Sequence, residues 1–285
     1  GCGMFKICRH QLRMACGSPR FYIALFLGCA IHIVGIMPLL EYGSGIGRPL
    51  CILEGFVYFC CERYTTSAVF LGIVFLVSDI PFSSENETYT LLRVSRKKWL
   101  AGKVMYLFGA CVLFYTVVFL SGTAFLSGNA YAGNFWSEPF YYLSQGMDAG
   151  DYSAYFPYPH ILMLSPLQAV LIGFSLDVAY AFVMSLFLFF CNLKLSRNLG
   201  YAATMLLHAV FYLILSVFQS RYYARYSLLG NSMLMYHSVH GQYGELLPPF
   251  WQSFIVFGGA AVILILMIFK GIRRYDFRIT VGTRQ

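Results

Sequence analysis

The sequence predicts an all-α polytopic membrane protein, a single transmembrane domain over residues 1–285 with six membrane-crossing helices. Three observations carry this. Of the 285 residues, 59% are hydrophobic and only 11% are charged, whereas soluble domains carry about 25% charged residues. Mean hydropathy is +0.65, too apolar for the surface of a soluble fold. Apolar runs close to the ~20 residues that cross a hydrocarbon core recur along the chain.

The elements follow in order. Residues 4–16 read as a short amphipathic helix, with Phe5, Cys8 and Leu12 near one face and Lys6, Arg9, His10 and Arg13 around the rest. A basic amphipathic stretch ahead of a span lies in the membrane interface. Gly1-Cys2-Gly3 precede Met4, which reads as the natural start. Gly17-Ser18-Pro19 ends the stretch; Ser18 is placed to cap the next helix and Pro19 suits its first turn. Spans are expected at about 21–40, 64–80 (entered as early as Gly55), 104–126, 167–191, 199–218 and 251–269.

The loops set an orientation. One side holds Lys6, Arg9, Arg13 and Arg20, then Arg93, Arg96, Lys97, Lys98 and Lys103, then Lys194 and Arg197, and finally Lys270, Arg273, Arg274, Arg278 and Arg284. The other side holds Arg48, Arg63, Arg221 and Arg225. Sixteen of the 20 basic residues therefore share one side, which the positive-inside rule makes cytoplasmic, with both termini. The net charge of +8 clusters beside the spans, so it points to lipid headgroups rather than nucleic acid.

On the other side, residues 127–161 are rich in aromatics, including Phe135, Trp136, Phe140, Tyr141 and Phe156. They suit interfacial anchoring or an extracellular gate. Within 219–250, the apolar patch Leu228–Tyr236 is too short to span; it can enter the membrane and return if protein shields its backbone. The nine cysteines show no metal-binding spacing. Cys29, Cys111 and Cys191 read as small hydrophobes. Cys51, Cys60 and Cys61 share a loop; a disulfide is open to them, but the adjacent pair favours free thiols.

Catalytic motifs are missing. There is no GxxxxGK(S/T) loop, since Gly102-Lys103 is followed by Val104, and no HExxH, GxSxG or CxxC. Neither enzyme activity nor a cofactor held by this chain is expected. Three ionisable residues fall within spans: Asp177, His208 and His32. A proton path would need them to face one another; the plainer reading is that they are packed and hydrogen-bonded between helices.

The loop Asp79–Lys103 is the most informative segment. Pro81 stops the second span. Ser83 or Ser84 can cap a short helix, with Glu85 and Glu87 at its positive end. Thr88, Leu91 and Leu92 form an apolar edge, Arg93, Arg96, Lys97 and Lys98 follow, and Trp99 is placed to anchor the third span at the interface. A charged helix with an apolar edge beneath the membrane suits docking to a partner.

Glu87-Thr88, Leu91-Leu92, Ser95-Arg96 and Lys103 together resemble the permease subunits of ABC-2-type ABC transporters, of the Gram-positive bacterial type. Tyr89 departs from the small residue common there. The layout is similar too: an interfacial N-terminal helix, six spans, a cytoplasmic coupling helix between spans two and three, and a re-entrant segment between spans five and six. The resemblance implies a multi-pass permease of the bacterial plasma membrane that exports an amphiphilic or lipid-like substrate or a peptide. It implies a second permease copy, as homo- or heterodimer, and a separate ABC ATPase subunit that holds ATP and Mg. The coupling helix, Ser84–Val94, would contact that ATPase through Glu87, Thr88, Leu91, Leu92, Arg93 and Arg96. The rival reading is a proton-coupled secondary transporter using Asp177 with His208 or His32; internal inverted repeats are not evident in the sequence.

Overall fold

A computed structural model describes residues 2–80, 95–146, 154, 156–217, 223–241 and 247–274. The first helix, α1 (Cys2–Cys16), buries Ile7 and Gln11 and exposes Arg9, His10 and Arg13. Gly17 and Ser18 break it, and Pro19 opens α2 (Pro19–Ile46). Ser18 takes the extended cap conformation, but its hydroxyl makes no capping bond. The helix passes through Pro38 and stops at Gly47, whose φ of 70° is left-handed and returns its N–H to Ser44. This end lies beyond residue 40 because Gly43 and Gly45 do not interrupt the helix.

The second span departs most from expectation. A helix begins near Gly55, but the path is not straight: α3 (Glu54–Cys61) and α4 (Arg63–Val77) meet at a 93° bend. All eight residues of α3 are buried. At the corner Glu62 caps α4, accepting from the backbone N–H groups of Tyr64 (3.0 Å) and Thr65 (2.6 Å). Next come α5 (Arg96–Leu126), α6 (Glu138–Ser144), α7 (Pro166–Lys194), α8 (Arg197–Val217), α9 (Leu228–Ser232) and α10 (Phe250–Arg274). A capping box between Ser165 and Gln168 starts α7. Two short strands, β1 (Leu50–Cys51) and β2 (Ala130–Tyr131), pair in parallel.

Five helices, α2, α5, α7, α8 and α10, are long and apolar enough to cross a membrane, and α3 with α4 makes a sixth if the bent pair is one span. This fits an all-α polytopic membrane protein. Central to it is α7, buried over 61% of its most apolar stretch, against 22% for α8 and 17% for α10. The latter two pack on α7 and turn Leu206, Leu213, Ile255 and Leu266 outward. Apolar outward faces suit hydrocarbon surroundings.

Contacts sort the helix termini into two ends. A basic end gathers the starts of α2, α5 and α8 with the finishes of α4, α7 and α10, through Arg20, Asp79, Asn192, Arg197 and Arg96. The opposite end is aromatic.

Two expectations are corrected. Trp99 is not an interfacial anchor: it is 1% exposed, edge-on to Phe189 at 6.2 Å, with the Lys103 ammonium 5.6 Å from its ring centroid. Because α5 starts at Arg96 rather than near 104, both residues lie within its first two turns and face the bundle. Among its described residues the aromatic loop is not all surface either. Phe140 and Phe156 are buried and pack at 4.5 Å, and Trp136 stacks on Phe140 at 5.0 Å, while Phe135 and Tyr141 stay exposed. Cys51, Cys60 and Cys61 are all free thiols, as their adjacent pair favours.

Candidate functional site

Glu87, Thr88, Leu91, Leu92 and Arg93, with the expected helix Ser84–Val94, lie outside the described residues. Both junctions of that loop are described. On entry, Asn192 of α7 donates to the carbonyls of Ser78 (3.4 Å) and Ile80. The Asp79 carboxylate accepts from Arg20 at the start of α2 and from Arg197 at the start of α8, the latter at 3.1 Å. Gly200 permits this junction: a Cβ there would stand 2.0 Å from Asn192 Oδ1. On exit, Arg96 donates to the Ile272 carbonyl in the last turn of α10 at 3.2 Å, where helix carbonyls lack intrahelical partners and favour a cation. The residues entering the loop are thus fastened to α2, α7 and α8, and Arg96 at its exit to α10.

The polar residues inside the bundle have separate hydrogen-bond partners among the described residues. His208 is held at both nitrogens, Nε2 by Ser67 Oγ (2.8 Å) and Nδ1 by Tyr180 Oη (2.7 Å), and stacks on Phe70 at 4.4 Å. One hydroxyl donates and the other accepts, so the neutral ring is satisfied. Asp177 is one turn before Tyr180 on α7; its Oδ2 accepts from the Cys60 thiol at 3.5 Å, and its Oδ1 has no partner among the described residues. His32 sits edge-on to Phe59 (4.8 Å) and Phe56 (6.0 Å), and a Cβ at Gly122 would approach its Cε1 to 2.3 Å. No hydrogen bond joins Asp177, His208 and His32 to one another among the described residues.

The aromatic end holds two polar sites that the sequence did not disclose. Glu54 is 0% exposed and its carboxylate accepts from Cys51 N (2.8 Å), Ser137 N (2.6 Å) and Ser137 Oγ (2.8 Å). Its only local signal is a carboxylate opening an apolar helix. The second site is a chain through His237, Ser253 and Asn231. It contains a hydroxyl–imidazole pair, but Ser253 is 0% exposed, so its oxygen is no accessible nucleophile. A cavity of about 510 Å³ opens between the ends of α2 and α5; Arg48, its charged lining residue, pairs with Glu138 at 3.4 Å.

Among the described residues no group of three or more His, Cys, Asp or Glu is placed to hold a metal ion. No protein-family model matches the chain, and comparisons with curated proteins and with solved structures give no match.

Proposed function

We propose that the chain is the membrane-spanning permease subunit of an ATP-driven ABC transporter of the bacterial plasma membrane, exporting an amphiphilic or lipid-like substrate or a peptide. A separate ATPase subunit would bind ATP and Mg, and a second permease copy would complete the pathway. In this reading the basic end is cytoplasmic.

The observation that supports it best is the fastening of residues 78–80 and of Arg96, on either side of 81–94. A partner pulling on this loop would move the ends of α2, α7, α8 and α10 together. That is the mechanical requirement for converting closure of an ATPase into a shift between transport states. The proton-coupled alternative through Asp177 and His208 has less support, because His208 is already saturated by Ser67 and Tyr180.

The test is reconstitution in lipid with the candidate ATPase. The chain should retain the ATPase through purification, and substrate should stimulate hydrolysis. Glu87→Ala combined with Arg96→Ala should remove most of that stimulation. Stimulation left intact in the double variant would sink the assignment of the loop, and transport driven by a pH gradient without any ATPase would sink the whole reading.

A further inference from the structure

Three short contacts link the segment before α10 to the first turn of that helix. The Met233 carbonyl lies 2.9 Å from His237 Nδ1, His237 Nε2 lies 2.8 Å from Ser253 Oγ, and Ser253 Oγ lies 2.7 Å from Asn231 Oδ1. Both ends of this chain are oxygens that can only accept. Met233 contributes a backbone carbonyl. The Asn231 amide has one orientation, because its Nδ2 donates to the carbonyls of Arg225 (2.9 Å) and Ser227 (2.8 Å), leaving Oδ1 to face Ser253.

Three contacts between two acceptors need three protons. A neutral imidazole supplies one N–H and serine supplies one O–H. In that state one contact sets two lone pairs against each other at hydrogen-bonding distance. An imidazolium supplies the missing proton, and every contact becomes a hydrogen bond.

We propose that His237, Ser253 and Asn231 form a proton-binding site, in which one proton taken up by the imidazole completes the hydrogen-bonded chain between the 228–237 segment and α10. Burial opposes it, pushing the imidazole from 6.5 down to about 4, and His160, on the 3-10 turn Pro159–Met163, acts in the same direction. Phe250 stacks on the ring at 4.9 Å and carries no charge. Among the described residues no Asp, Glu, Lys or Arg side chain hydrogen-bonds or ion-pairs with His237. The third hydrogen bond favours the charged imidazole and so works against burial. Linkage is reciprocal: the factor by which the Ser253 contact raises proton affinity is the factor by which the proton strengthens that contact.

The experiment is an NMR titration of the full chain in lipid nanodiscs, ¹⁵N-labelled at histidine, with the His237 signal assigned through His237→Gln. Ser253→Ala and Asn231→Ala each bring the neutral proton count into balance. Each should lower the midpoint by about one pH unit, roughly tenfold in proton affinity. Either variant suffices if the other fails to fold. A variant midpoint equal to or above the wild-type value overturns the proposal. So does wild-type His237 that stays neutral down to pH 4, which decides the matter without any variant.

Discussion

At the start of α3 a single buried carboxylate takes three hydrogen bonds, two from backbone amides and one from a hydroxyl. The donors come from Cys51 and Ser137, so Glu54 joins the strand pair to the start of α6. Glu54→Ala would leave those donors buried and unpaired, each costing about 1–3 kcal/mol. A loss of about 3 kcal/mol or more is expected, read as a lower thermal midpoint in detergent. Glu138→Gln, at an exposed pair with Arg48, should cost under about 1 kcal/mol. Equal effects of the two would show that the buried site is not the stronger contact. The local pattern of residues 50–61 shows only a carboxylate opening an apolar helix; its role depends on Ser137, 83 positions away. Asp177, His208 and His32 were legible as buried polar groups for the opposite reason, since an ionisable residue in an apolar run stands out. What they bond to was not legible.

The bend between α3 and α4 belongs to the scale of the element. Apolar residues lie on both sides of the polar run 62–67, at 55–61 and 68–77, and hydropathy alone does not say that the chain turns between them. The corner at Glu62 comes from an extended backbone, φ −99° and ψ 114°, and from a side chain that caps the following helix instead of continuing the preceding one. Glu62→Ala should cost about 1 kcal/mol, the usual value of a lost cap. Faster hydrogen exchange at the Tyr64 and Thr65 amides would report it. Unchanged exchange there would mean that packing, not the cap, holds the corner. The start of α5 shows the same principle. Charges at residues 96–98 suggest a flank, yet helix geometry extends through them and carries Trp99 and Lys103 into the bundle.

For the whole molecule, the basic end is held by partly exposed ion pairs around Asp79 and by hydrogen bonds to carbonyls. Exposed pairs of this kind contribute little to stability, about 0–1 kcal/mol. Asp79→Asn should therefore barely shift the unfolding midpoint. In the proposed transporter it should lower substrate-stimulated ATP hydrolysis severalfold, because the loop entry loses its hold on α2 and α8. A variant that keeps full stimulation would show that these pairs transmit nothing. Stability and coupling are separable here: α7 and its buried neighbours carry the first, and the loop junctions would carry the second.

The sequence by itself determined where the apolar segments lie, that basic residues gather beside alternate segment ends, and that the motif GxxxxGK(S/T) does not occur. Those properties are local or additive along the chain, so composition and spacing express them directly. Only the tertiary structure decided the right-angled corner at Glu62, the burial of Trp99 and Phe140, the different hydrogen-bond partners of Asp177 and His208, and the meeting of His237 with Ser253 and Asn231. Each of these depends on how far a helix is rotated about its axis and on which residue of a distant element it then faces. A hydrogen bond is satisfied or lost within a few tenths of an ångström, a precision that apolar periodicity does not encode.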